Sequence, residues 1–250
     1  MSVGLSEEAV LPYLNKLDPS EIVVIACINS PSNVTLSGDS AVLKKLEERL
    51  TSEKVFARRI KVEMAYHSPH MRLIADEYLA SIESIQTLPT DKTAPTFYSS
   101  VTGAEIHPSA LEASYWVRNM VSPVQFVEAL GAIFPLAKAG ARRRRRDGLL
   151  PDTILEIGPH GALQGPVRQI LAKNGRTEET QYSSILHRGK DAIVSSLEVM
   201  GNLWTKGQTL KFLHMNSPEA NPEPLQSLTD LPLYPWKYVL KSVCDLIQTN

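Results

Sequence analysis

Hydrophobic and polar positions in the first sixty residues change period from segment to segment, and the changes mark the elements. SVGL, residues 2–5, reads as a short apolar strand, and Ser6 is placed to cap a helix whose apolar positions Val10, Leu11, Leu14 and Leu17 recur at helical spacing. EIVVIACI, residues 21–28, is a continuous apolar run of the kind that suits a strand buried on both faces. A turn at NSPSN leads into VTLSG, a second strand, after which Asp39 or Ser40 opens a helix with Val42, Leu43, Leu46 and Leu50 on one face. Ile60, Val62 and Met64 then alternate with Arg59, Lys61 and Glu63, predicting a period-two strand that delivers the chain to His67. The predicted order is βαββαβ, a ferredoxin-like unit.

Beyond His67 the pattern remains α/β with longer connections. Met71, Ile74, Tyr78 and Ile82 mark a helix, TFYSSVTG a strand, and Tyr115 to Val117 the end of a short helix. Ser122 followed by Pro123 predicts a helix start, a cap and then a first-turn proline, continued by Val127 and Leu130. TILEIG is a buried strand running through GPHG, residues 158–161, into a helix carrying Leu163, Val167 and Ile170. A further strand, YSSIL, precedes a helix around residues 190–205. From Asn216 the chain is rich in Pro, Asn and Ser and runs into LTDLPLYPWKY, where Pro232 and Pro235 hold aromatic residues in an extended segment, a linker that packs on something.

Composition narrows the function classes. With 43% hydrophobic and 21% charged residues over 250 positions, the chain has an ordinary soluble globular composition, enough for one large domain or two small ones. A net charge of -1 offers no global attraction for nucleic acid or an anionic membrane. The run Arg142 to Arg146 lies between small residues and Gly or Pro breakers, without interleaved aromatics, and reads as a solvated loop. Cys27 and Cys244 are far apart, as expected of unpaired thiols in a reducing compartment. Neither a basic leader with an apolar stretch nor a membrane-length apolar run occurs, so the expected location is the cytoplasm.

The candidate chemistry sits in MAYHSPHM, residues 64–71. His67 and His70 are three apart and suit one helix face, but a transition-metal site needs three or four ligands, and His107, His160, His187 and His214 have no companions at a ligand spacing. No metal is expected. Spacing alone leaves two readings of His67 open, a turn residue bonded to backbone and a catalytic base.

VEMAYHSPHM, together with GLSEEAVLPYL, ACINSPSNVTLSG, YWVRNMVSPVQFVEAL, LEIGPHGALQGPVRQIL and DLPLYPWKY, resembles the second half of the acyltransferase domain of a fungal-type iterative type I polyketide synthase, with the matches in family order along essentially the whole chain. The resemblance implies a ferredoxin-like subdomain at 1–62, inserted in an α/β-hydrolase-like core whose C-terminal part is 63–210, and a post-acyltransferase, Pro-rich linker at 211–250. It implies that His67 is the general base that deprotonates a serine, whose oxygen attacks a coenzyme A thioester, and that the backbone carbonyl of Asn119 orients the imidazole. Asn29, by the same analogy, faces the coenzyme A channel and binds substrate. The Ala-Tyr-His context resembles the family's malonyl-selective form more than its methylmalonyl form. The implied partners are malonyl-coenzyme A, the phosphopantetheine thiol of an acyl carrier protein domain, and neighbouring synthase domains, with neither nucleic acid nor membrane.

In one respect the chain departs from the family. An acyltransferase needs the strained G-x-S-x-G elbow that exposes its serine, and these residues contain none. In GLSEE, residues 4–8, Glu8 stands where the elbow needs glycine, and Ser6 is better explained as a helix cap. The family's carboxylate-binding arginine has no counterpart either. The expectation is therefore a serine encoded upstream of Met1 and a chain that cannot transfer acyl groups alone. A non-catalytic acyltransferase-like module that binds a synthase or its carrier protein is the alternative. A fatty-acid synthase or free-standing transacylase would share the chemistry, but the Pro-rich tail argues against the free-standing form. His160 in GPHG is expected to be structural, in a helix-start turn whose backbone N–H groups suit a bound anion.

Overall fold

The computed structural model describes residues 1–87, 89, 94–137, 151–177, 180–212, 215 and 229–232. Arg142 to Arg146, His214, Cys244, Pro235 and nearly all of the expected linker lie outside these residues. The chain divides into two units, Met1–Val199 and Met200–Asn250. In the second, Trp204 and Phe212 meet edge to face with ring centroids 6.0 Å apart.

The first unit begins with β1 (Ser2–Val3), α1 (Glu7–Leu14), β2 (Val23–Ser30), β3 (Asn33–Gly38), α2 (Ser40–Ser52) and β4 (Ala57–Arg58). These strands lie in the order β4-β1-β3-β2, each antiparallel to its neighbour, and β7 (Val124–Gln125) adds a fifth, parallel to β2 through Cys27↔Val124 and Ile28↔Gln125. Ser6 caps α1, its Oγ accepting the Ala9 N–H at 3.2 Å. Both helices bury their apolar stripes on one face of the sheet, where Val10, Val34, Leu36 and Leu50 are at most 1% exposed. The apolar run of β2 is only partly enclosed, with Val23, Ala26 and Ser30 buried and the rest half-buried. Burial pushes the Cys27 thiol up from its ordinary value, which favours its protonated form.

The strand expected at 59–64 does not form. β4 ends at Arg58 in the register Ser2↔Arg58 and Val3↔Ala57, and among the described residues no strand pairs with the alternating stretch that follows. Ile60, Val62 and Met64 are 48%, 60% and 49% exposed.

A 3-10 helix of two turns, Pro69–Ile74, follows Ser68 and leads into α3 (Ala75–Ile82). TFYSSVTG is not one strand but a hairpin, β5 (Phe97–Ser99) turning back through Gly103 to β6 (Ala104–Ile106). α4 runs over Ala113–Val121, so Tyr115 to Val117 lie in its first half rather than at its end. The expected helix start at Ser122–Pro123 is a helix stop. A residue before proline is pushed to extended backbone, and Ser122, at φ -99° and ψ 155°, is the C-cap of α4. β7 follows, and α5 (Phe126–Ile133) begins three residues after Pro123. β8 (Thr153–Glu156) and β9 (Gln181–Ser184) form a parallel pair around α6 (Gln164–Lys173), and α7 spans Ala192–Thr205. Leu130 and Phe134, at the end of α5, pack with Val167, Ile170 and Leu171 of α6 in a second core.

Candidate active site

His67 is placed by two irregular joints in the backbone. It has φ 61°, a left-handed conformation that costs a non-glycine residue about 1–2 kcal/mol and persists only where the surroundings over-determine it. Next to it Ser68, extended at φ -127° because a proline follows, is fully buried and caps the 3-10 turn. Its hydroxyl donates to the Ala65 carbonyl at 2.6 Å and accepts the His70 N–H at 3.3 Å. These bonds close the turn on either side of His67.

The other wall is the C-terminus of α4, where the last carbonyls of a helix have no partner within it. His67 takes them up. Its backbone N–H donates to Met120 O at 3.1 Å, and its Nδ1 lies 2.9 Å from Asn119 O and 3.1 Å from Ser122 O. Carbonyls only accept, so Nδ1 carries the ring proton and the lone pair is left on Nε2.

His70 faces away from this arrangement. Its Nε2–H donates to Asp39 Oδ1 at 3.0 Å, and its Nδ1 lies 3.3 Å from Ser68 Oγ. The two histidines are thus engaged with different partners, and among the described residues no three His, Cys, Asp or Glu side chains converge as metal ligands would. The N–H of Ile22, and then His70, hold the Asp39 carboxyl below its usual range.

Asn29, expected to bind substrate, sits in β2, one residue past the Ile28↔Gln125 pair. Its side-chain amide donates to Asn33 Oδ1 and to Thr35 Oγ1, both at 2.9 Å, so both amide hydrogens are held within the sheet. Ser6 has ordinary extended backbone, φ -69° and ψ 165°, unlike an elbow nucleophile. The anion expected at GPHG is displaced by the protein itself: the Glu156 carboxylate accepts the Ala162 and Leu163 N–H groups, each at 3.1 Å, and also the Tyr182 hydroxyl. Sequence reasoning missed Glu156, although a carboxylate eight residues ahead of a helix start is visible in LEIGPHGAL. It also missed the Ser122 carbonyl.

A family model described as acyl transferase domain matches residues 12–209. Two fungal proteins are each 43% identical to the chain: the highly reducing polyketide synthase alnA of Emericella nidulans over 95% of it, and the highly reducing polyketide synthase Preu1 of Preussia isomera over 98%. The chain spans about a tenth of the length of these curated relatives. Among solved structures, the acyltransferase domain from module 8 of the salinomycin polyketide synthase superimposes with a TM-score of 0.69 at 25% identity, covering 84% of this chain and 45% of that one. A loading acyltransferase from the avermectin modular polyketide synthase does so with 0.65 at 26%, covering 81% and 58%.

Proposed function

This chain belongs to the acyl transferase domain family, and we propose that it is the C-terminal part of a polyketide synthase acyltransferase domain that loads malonyl units from coenzyme A onto an acyl carrier protein. The observation that carries the reading is the His67 ring, held by Nδ1 against Asn119 O and Ser122 O so that Nε2 keeps its lone pair. In this reading Nε2 removes the proton of a serine hydroxyl that lies outside these 250 residues. The serine oxygen attacks the malonyl thioester carbonyl, and the imidazolium returns the proton to the departing coenzyme A thiolate as the acyl-serine ester forms. The phosphopantetheine thiol of the carrier then gives its proton to Nε2 and attacks the ester, and the serine leaves reprotonated. Among the described residues the partners of Nδ1 are the carbonyls of Asn119 and Ser122 and not a carboxylate, so backbone oxygens supply the orientation.

The strand order β4-β1-β3-β2 supports reading residues 1–62 as the inserted ferredoxin-like subdomain. Residues 63–210 would be the end of the hydrolase-like core and 211–250 a linker to neighbouring synthase domains. Asn29 would line the coenzyme A channel through its carbonyl oxygen, since both amide hydrogens are engaged. The parallel pair β8–β9 is of a kind normally covered on both faces, whereas Ile157 at its end is 81% exposed, as expected if further core packs there.

The test is immunocapture from source cells with an antibody to residues 39–63. The captured polypeptide is expected to be much larger than 27.7 kDa and to transfer malonyl from coenzyme A to a carrier protein, while the 250-residue chain alone does not. A captured protein of the smaller size without transfer would sink the reading in favour of a non-catalytic module.

A further inference from the structure

We propose that His70 and Asp39 form a positioning pair for His67, tying the turn that carries it to the N-terminus of α2. The need for a tie arises from the chain before the turn. β4 ends at Arg58, and the stretch leading to His67 is unpaired in the sheet, with Val62 and Tyr66 60% and 52% exposed. Among the described residues no strand therefore leads directly into a turn whose central residue is held at φ 61°.

α4 holds His67 from one side, and His70 holds the turn from the other. The His70 N–H binds the buried Ser68 hydroxyl, which also clamps Ala65, and the His70 ring spans to Asp39 Oδ1 at 3.0 Å. Asp39 is itself pinned. Its Oδ2 accepts the Ile22 N–H at 2.9 Å, and its own N–H donates to Ile22 O at 2.8 Å. This close approach is the reason for glycine at 38, where φ is 149° and a Cβ would stand 2.0 Å from Ile22 O. Asp39 occupies the N-cap position of α2 without making a cap bond from its side chain, so its carboxylate serves Ile22 and His70 instead. A continuous set of bonds thus runs from the start of β2 through Asp39, His70 and Ser68 to the turn of His67.

The proposal rests on the reading of His67 as a base only for its catalytic meaning, and its test is structural. In the 250-residue chain labelled with 15N-histidine, His67 is expected to show a single Nδ1–H tautomer with a slowly exchanging ring proton. His70→Leu, which removes the donor to Asp39, is expected to mix the tautomers and speed exchange of that proton by about tenfold, the worth of one charge-assisted hydrogen bond. His70→Gln, which can still donate to Asp39, is expected to restore most of the protection. Exchange of the Leu50 amide reports whether the variant is folded. Should His70→Leu fail to fold, Asp39→Asn gives the same comparison, with its oxygen still able to serve Ile22 but its charge gone. An unchanged His67 signal in the folded variant, or a glutamine variant no better than leucine, would overturn the pair. If the His67 signal responds but His67 variants of the synthase keep their activity, the pair stands and the base reading fails.

Discussion

His67→Gln, made in the polypeptide captured with the antibody to residues 39–63, is expected on the proposed mechanism to lower malonyl transfer by about 10²–10⁴-fold, the usual contribution of a positioned general base. Glutamine can donate from its amide toward the carbonyls of Asn119 and Ser122, but it has no basic nitrogen to accept the serine proton. On the proposed mechanism both half-reactions slow, because the same Nε2 would serve the serine hydroxyl in the first and the carrier thiol in the second. His67→Gly separates chemistry from structure. It relieves about 1–2 kcal/mol of left-handed strain while forfeiting a side-chain hydrogen bond worth about 0.5–1.5 kcal/mol, so the fold is expected to keep its stability as activity disappears. Activity within threefold of the parent in His67→Gln, measured as coenzyme A release and carrier acylation, would remove the histidine from the mechanism.

Phe134→Ala is expected to destabilise the chain by about 3–5 kcal/mol, the range for deleting a buried aromatic ring. Phe134 is 1% exposed and fills the space between the end of α5 and the face of α6 formed by Val167, Ile170 and Leu171. Its carbonyl also accepts the Asn174 side-chain N–H at 2.7 Å, so the ring and the backbone are fixed to the same helix end. Because the net stability of a domain is about 5–15 kcal/mol, this substitution removes a large share of it. Leu73→Ala, at a position 87% exposed, is expected to stay within about 0.5 kcal/mol in the isolated chain. Urea midpoints of the two variants check both figures, and a similar shift for both would mean that the α5–α6 packing is wrongly described.

The legible part of the fold is the part where one face of each element is buried. In α2, Val42, Leu43, Leu46 and Leu50 are all buried, as their spacing predicts, and β1, α1, β2, β3 and α2 follow one another in the expected order. The stretch from Arg59 to Met64 has a strand's alternation but pairs with no strand among the described residues, and periodicity carries no information about pairing. The Ser-Pro step is ambiguous for a related reason. It opens the 3-10 turn at Ser68–Pro69 and closes α4 at Ser122–Pro123, because proline forces extended backbone on the residue before it, whether a helix lies ahead or behind.

For the site, histidine spacing left His67 undecided between turn residue and base, and Asn119 came from the resemblance alone. Its carbonyl meets His67 across 52 positions of sequence, and a backbone acceptor leaves no mark in residue type. His70 and Asp39, 31 positions apart, were invisible as a pair because each has a sufficient local explanation, one as a turn histidine and the other as a helix cap.

The central claim is that His67 acts on a serine outside these 250 residues. The most direct measurement is to incubate the captured synthase polypeptide with radiolabelled malonyl-coenzyme A, stop the reaction before carrier transfer, and map the labelled peptide. The expected product is a malonyl ester on a serine outside residues 1–250, absent in His67→Gln. A malonyl ester on Ser6, or on any other side chain within these residues, would contradict it.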